Sequence, residues 1–349
     1  MNRTENASNS EFVPPNSYRR KEPTMPQDRY QIGVQDYIDY HRDGYLVVQG
    51  LVPDTEVEEI RRHTEELMSG RIIIDGVEPP PPGLTPEQMG QHWLRIHMLH
   101  RKHELHERYL LQPRILDVLE ALIGPDVSAL QTMLFLKPPG REGQGYHQDA
   151  YYIPTYPDTL IGAWLAVDPA DEENGCMKVI PGSHHEPIYP DENKLGQNHT
   201  DGSIEDLAVI AGASATDESV NGLTPVAAKY GGREVAARMA PGDVLFFDSH
   251  LLHRSHANRT QTRFRRAFVS HYCNARSLVP WNHGAEFEGT TANNLHILAR
   301  GNTHLDYALP KFGTPCDALN PRETARGVRP ARMMGGMPAS TVKGVMVTR

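Results

Sequence analysis

The chain has 349 residues and little of what marks a secreted, membrane-embedded or nucleic-acid-binding protein. It has only three cysteines, Cys176, Cys273 and Cys316. They are too far apart for a disulfide framework or a zinc site, which fits a reducing compartment. No apolar run reaches the roughly eighteen residues that cross a bilayer. Residues 1–28 lack the apolar stretch of a secretory signal and are rich in Asn, Ser, Pro, Arg and Glu. We read them as a disordered leader, with Met25 as an alternative start. Positive charge is scarce too: 35 Lys and Arg against 44 Asp and Glu leave a net charge of -9. Apart from Arg263, Arg265 and Arg266 the cations are scattered, so we expect no nucleic-acid or membrane partner. Cytoplasm is the expected location, and the final Met346-Val-Thr-Arg is not a peroxisomal Ser-Lys-Leu address.

What is present is enough apolar residue, 38% of the chain, to build one large domain or two modest ones. Val34 to His41 reads as a helix, Gly44 to Val48 as a short strand, and Asp54 as the cap of a second helix with Val57, Ile60 and Leu67 inward. Four prolines, Pro79 to Pro82, make residues 70–90 an irregular excursion. Helical periodicity returns from Leu105 to Leu122 and stops at Gly124-Pro125. From Val127 onward strands dominate: 129–136, 160–167, 176–180, 244–247 and 267–272. Short strands divided by Gly and Pro predict a mainly β protein, a double-stranded β-helix or jelly roll with flanking helices. We place that domain at 29–300 and an irregular tail at 301–349. Residues 186–234 are too long and polar for an idle connection and read as a candidate lid.

The most informative residues are His147-Gln-Asp149 and, far downstream, His253 in Leu251-Leu-His-Arg-Ser. In an extended segment residues i and i+2 point the same way, so His147 and Asp149 can chelate one ion with Gln148 turned aside. Two imidazoles and a carboxylate on one face of a metal leave the other face open, the facial triad of non-haem ferrous oxygenases. With 18 histidines in the chain, a lone His-x-Asp is usually a surface pair. Here the context is richer. His147 follows Gly143 and Gly145 at what reads as a strand entrance, His253 follows the strand beginning at Val244, and Arg265 opens another strand. A guanidinium there suits bidentate binding of a carboxylate.

Several blocks occur in one order: Gln131-Thr-Met-Leu-Phe-Leu-Lys-Pro-Pro, Tyr146-His-Gln-Asp, Ala163-Trp, Asn174-Gly-Cys, Ile180-Pro-Gly-Ser-His, Pro241-Gly-Asp-Val-Leu-Phe-Phe, Leu252-His-Arg-Ser-His-Ala-Asn and Phe264-Arg-Arg-Ala. As a set, spanning about residues 34–276, they resemble the phytanoyl-CoA dioxygenase family of Fe(II)/2-oxoglutarate-dependent oxygenases. The resemblance implies iron ligands at His147, Asp149 and His253, and a clamp on the far carboxylate of 2-oxoglutarate at Arg265, shared by Ser255. It implies that Trp164 and Met133 line the cosubstrate pocket and that Arg95 is a cationic partner there. The interval from His253 to Arg265 is one residue longer than in the phytanoyl-CoA enzyme, so Arg266 competes for the clamp; the register of the following strand favours Arg265. Arg95 stands where the family has lysine.

The implied cofactors are Fe(II), 2-oxoglutarate and O2, with ascorbate as a stimulant. The implied reaction hydroxylates an unactivated carbon of a small organic substrate while 2-oxoglutarate becomes succinate and CO2. Asp149 separates the chain from halogenases, which place a small residue there. Desaturation or epoxidation at the same iron remains open, as does a non-catalytic jelly-roll ligand-binding module. Plainer readings stand beside these assignments. Trp164 and Met133 are equally well core residues, and His184 reads as a turn residue. His97, His100, His103 and His106, three apart, read as solvated or locally bonded positions spiralling round a helix. Asp168, Asp171, Glu172 and Glu173 read as a charged turn, and Tyr151 and Tyr152 as packing or substrate-facing aromatics. Substrate identity and oligomeric state are not legible.

Overall fold

The computed structural model describes residues 29–304 apart from 76, 86–87, 89–91, 93–94, 193–208 and 280–295, together with 309–310 and 347–348. The expected leader and Met25 lie outside the described residues, as does Cys316.

Helix α1 (Val34–Asp43) ends at Gly44, whose left-handed φ of 81° turns the chain into strand β1 (Tyr45–Val48). Helix α2 (Asp54–Met68) begins one residue earlier than expected: Pro53 is the cap, and Asp54 with Glu56 sits in the first turn, where carboxylates complement the helix dipole. Val57, Ile60 and Leu67 are buried. Strand β2 (Arg95–His97) follows the proline excursion. The single helix expected from Leu105 to Leu122 is two helices, α3 (Glu104–Leu110) and α4 (Pro113–Ile123). Pro113 cannot continue a helix but is at home at the start of one, and the Gln112 side chain accepts from the Arg114 and Ile115 amides to cap it.

The rest is β. Strands β3 (Val127–Lys137), β5 (Ile161–Ala166), β6 (Met177–Val179), β8 (Val244–Asp248) and β10 (Arg265–Asn274) fall on the expected segments, and β4 (Gln144–His147), β7 (Val235–Ala237), β9 (His253–Ser255) and β11 (Ile297–Arg300) are additional. They form two sheets. The larger runs β1-β8-β5-β10-β3-β11, with β2 also on β3; the smaller runs β4-β9-β6-β7. Within the tail expected to be irregular, β12 (Leu309–Pro310) joins β11 and β13 (Val347–Thr348) joins β2.

Side-chain alternation decides which face of the large sheet meets what. Ala163, Leu165, Val244, Phe246 and Phe268 pack on the helical layer with Ile60, Leu116 and Leu119. Trp164, Ala166, Leu245, Phe247, Ala267 and Val269 point the other way, to Met177, Val179 and Ala237 of the small sheet. Two sheets face to face with helices on one outer face is the jelly roll expected from the sequence. The described part of 186–234 is packed rather than idle: Ile210, Ala213, Leu223, Val226 and Ala227, the last two on helix α5 (Thr224–Ala228), cover Tyr146, Ile180 and Leu252.

Candidate active site

Strand β4 pairs with β9 through an irregular register. Gln144 lies opposite Ser255 and His147 opposite His253, so two residues of β4 face one of β9. A bulge of this kind re-aims side chains, and the two imidazole rings come to 4.1 Å between centroids. His147 closes β4 rather than opening a strand, and Asp149 begins a short 3-10 turn, Asp149–Tyr151. Gln148 between them is extended and turned away, its amide held by the carbonyls of Pro187 and His250 at 3.0 Å each. Gly145 is dictated by close approach. A Cβ there would lie 1.7 Å from the Ala215 carbonyl oxygen, because the 214–215 backbone crosses over it.

The donor atoms of His147, Asp149 and His253 lie within 4.8 Å of one another. Asp149 Oδ1 is 3.7 Å from Nε2 of each histidine. Each ring donates Nδ1–H to a backbone carbonyl at 2.9 Å, His147 to Gly145 and His253 to Leu251. That choice of tautomer leaves both Nε2 lone pairs facing the carboxylate side, as metal ligation requires. Burial, then the neighbouring His253, pushes the His147 imidazole down to about 3, so it is neutral and able to ligate. Burial alone would raise the Asp149 carboxyl; the His253 and His147 imidazoles and a hydrogen bond from His271 outweigh it and hold the group well below the usual range. One carboxylate and two imidazoles with anchored rings fit a divalent first-row ion.

Two residues that the sequence reading did not single out complete the site. His271 Nε2 is 2.8 Å from Asp149 Oδ2, and its Nδ1 is 3.0 Å from the Gln131 amide. The chain Gln131–His271–Asp149 fixes which oxygen faces the histidines. The second is Lys137, only 2% exposed, whose Nζ lies 3.3 Å from Ser255 Oγ and donates to the His256 carbonyl. Both had a parity signal: His271 is six residues beyond Arg265 and Lys137 four beyond Met133, on the same strand faces.

Arg265 is buried and points between the sheets, its Nε donating to Gly175 O at 3.2 Å and its guanidinium 5.4 Å from the Trp164 ring and 5.9 Å from Phe135. Arg266 faces the opposite way. It grips Asp168 with Nε and Nη2 at 2.7 and 2.8 Å and reaches Glu65 of α2 at 3.0 Å. Trp164 and Met133 belong to the core between the sheets and Trp164 also meets Arg265, so its two readings are compatible. Arg95 lies 5.9 Å from Phe135, and burial lowers its pKa against the opposing influence of Tyr152 and Asp149. Tyr152 is 6.5 Å from the His147 ring and bonds Ser214 Oγ at 2.8 Å; Tyr151 is buried.

Other expectations change. His97, His100, His103 and His106 do not share a helix: they lie on β2, in a 3-10 turn, at the α3 cap and in α3. His97, His100 and His106 are buried rather than solvated. His106 Nε2 meets His63 Nε2 at 3.1 Å, and His100 Nδ1 meets Thr132 Oγ1 at 2.9 Å. Asp168 is a buried partner of Arg266, unlike Asp171, Glu172 and Glu173, which pair with Arg263 and Arg238 at the surface. His184 sits in a 3-10 turn after Gly182 and meets His41 O at 3.2 Å. Among the described residues no helix is long and apolar enough to cross a membrane.

Comparison with known proteins agrees with this geometry. The family model "Phytanoyl-CoA dioxygenase (PhyH)" matches residues 40–267. The chain is 29% identical over 244 residues to the peroxisomal phytanoyl-CoA dioxygenase of Rattus norvegicus, covering 67% of this chain and 66% of that protein. It is 27% identical over 280 residues to the Homo sapiens enzyme, covering 76% and 74%. Among solved structures, EctD from S. alaskensis with 2-oxoglutarate and 5-hydroxyectoine superposes with a TM-score of 0.51 at 22% identity, over 70% of this chain and 77% of that one. The carbocyclase SnoK from nogalamycin biosynthesis gives 0.51 at 21% identity, over 71% and 86%. Both share the fold. The converging histidines and carboxylate and a family match over most of the chain lead to one conclusion: the chain belongs to the phytanoyl-CoA dioxygenase family of Fe(II)/2-oxoglutarate-dependent oxygenases.

Proposed function

We propose that this protein hydroxylates an unactivated carbon of a small organic substrate, with His147, Asp149 and His253 holding the iron and Arg265 with Ser255 holding the far carboxylate of 2-oxoglutarate. The observation that carries the reading is the approach of Asp149 Oδ1 to 3.7 Å from both histidine Nε2 atoms, whose rings are anchored by backbone carbonyls. Ferrous iron with 2-oxoglutarate and O2 would supply the oxidising power for oxygen insertion, the keto acid leaving as succinate and CO2. The chain's own residues do the rest. Gln131 and His271 orient Asp149, Trp164 and Phe135 flank the Arg265 guanidinium, and Met133 fills the space beside them. Arg95 and Tyr152 border the metal position and are assigned to the cosubstrate and substrate sides.

The solved EctD structure contains 5-hydroxyectoine, a small hydroxylated molecule, and the mammalian relatives are named for an acyl-CoA substrate. A small organic substrate is common ground between them. Cysteine usage and charge favour the cytoplasm for this chain, whereas those relatives carry a peroxisomal name. The test is succinate release from iron-loaded protein given 2-oxoglutarate and a panel of candidate substrates. Turnover should vanish in Asp149→Ala. A wild type that neither binds iron nor consumes 2-oxoglutarate with any of them would overturn the proposal. Arg265→Leu should abolish 2-oxoglutarate binding while sparing metal binding; a metalloenzyme working without that cosubstrate would be indifferent to it.

A further inference from the structure

Lys137 and Arg265 are direct partners across β3 and β10, both nearly inaccessible at 2% and 4% exposure, and both cationic residues. Among the described residues neither makes an ion pair with a carboxylate: Asp168 is taken by Arg266 and Asp171 by Arg263. The charged and titratable groups around Lys137 come from three directions. Arg265 lies on β10, Cys176 on the turn before β6 and Glu142 on the loop after β3, the last beyond pairing distance. From β9 and its extension come the Ser255 hydroxyl and the His256 carbonyl, while the His256 ring feels Lys178 and Arg254. Cys176 supplies no counter-charge, because burial pushes its thiol up to about 11. Gly175 closes the wall: a Cβ there would stand 2.8 Å from Lys137 Nζ, and its carbonyl already accepts from Arg265.

Two buried like charges without an anion are costly, and a protein relieves that cost by releasing a proton. Arginine holds its proton, so lysine is the one to give it up. Burial, then Arg265, pushes the Lys137 amine down to about 6. We propose that Lys137 is a third partner of the far carboxylate of 2-oxoglutarate, beside Arg265 and Ser255, and that the dianion enters together with a proton that settles on the Lys137 amine. The proton comes from solvent, an O–H bond of the donor breaking as the third N–H bond of the ammonium forms, and the bound carboxylate supplies the missing counter-charge. This inference rests on the Arg265 pocket proposed above.

The experiment is calorimetric titration of 2-oxoglutarate into manganese-loaded protein, with the metal redox-quiet, in buffers of low and high ionisation enthalpy. Wild type at pH 7.5 should take up roughly half to one proton per ligand bound, and Kd should rise about tenfold or more from pH 6.5 to 8.5 as the proton becomes harder to supply. Lys137→Met should take up no proton, show a flattened pH dependence, and bind about fivefold or more weakly at pH 6.5. Lys137→Arg, permanently charged, should restore binding without proton uptake. Wild-type binding with no proton uptake, a measurement that needs no variant, overturns the inference and leaves the Arg265 pocket standing. So does Lys137→Met with unchanged uptake. If wild type binds no 2-oxoglutarate, or Arg265→Leu binds as well as wild type, the pocket falls and this inference falls with it.

Discussion

Asp149 owes its orientation to His271, on a strand that contributes no proposed metal ligand. The His271 ring is 1% exposed and stands between the Gln131 amide and Asp149 Oδ2. Outer partners of this kind usually change metal affinity rather than fold, so His271→Ala should weaken manganese binding by about ten- to a hundredfold, read by titration. An unchanged affinity would leave His271 a packing residue. Adjacent arginines make the opposite pair. Removing the Arg266 side chain leaves the buried Asp168 only the residue-266 amide and the more distant Arg61 Nε at 3.7 Å, and Arg266→Ala should cost about 3 kcal/mol in denaturant unfolding while 2-oxoglutarate affinity is kept. Arg265→Leu should lose the ligand at little cost in stability, since that guanidinium pairs with no carboxylate among the described residues. If stability and binding follow the reverse assignment, Arg266 is the clamp. The motif alone could not choose between neighbours; strand alternation does.

Among the elements, β4 depends on a crossing. The backbone at 214–215 passes over Gly145 with hydrogen bonds at 3.1 Å from Gly145 N to Ser214 O and 3.0 Å from Ser214 N to Tyr146 O. Gly145→Ala should force that segment aside, lowering the melting temperature and making residues 209–222 more susceptible to limited proteolysis. Unchanged protease resistance would mean that the backbone accommodates a methyl group there. The helical layer shows where pattern reading misleads. The apolar spacing from Leu105 to Leu122 continues through Leu111, Gln112 and Pro113 although the backbone cannot, because Pro113 lacks the amide that an unbroken helix would use. The three-residue spacing of the histidines from His97 to His106 imitates a helix face while crossing a strand, a turn and a cap.

For the molecule as a whole, buried neutral histidines set an acid limit. His63 and His106 share a hydrogen bond between α2 and α3; burial holds His63 down to about 4 and His106 well below its ordinary value. Their folded-state pKa values lie below the unfolded value of about 6.5, so the unfolded chain binds more protons and stability falls as pH drops from there toward 4. Asp248, raised to about 6 by burial, acts in the opposite sense. Comparison with a variant therefore isolates the histidines. In a His63→Phe, His106→Leu double variant the melting temperature should depend less steeply on pH between 6.5 and 4 than in wild type. Parallel curves would assign the acid sensitivity to other groups.

The jelly roll, most strand positions and the candidate ligands His147, Asp149 and His253 were legible in the chain, because period-two alternation, Gly and Pro punctuation and a short motif are local properties. Lys137 and His271 were not singled out, since burial without a carboxylate and a hydrogen bond from another strand exist only once distant segments pair. The linear order determined which residues could meet a metal and a dicarboxylate. The strand register favoured Arg265 over Arg266, and tertiary structure decided that Arg265 faces the space between the sheets while Arg266 is tied to Asp168. One side chain on β10 points to the small sheet and the next to the helices, and only the packed layers give those two faces different chemistry.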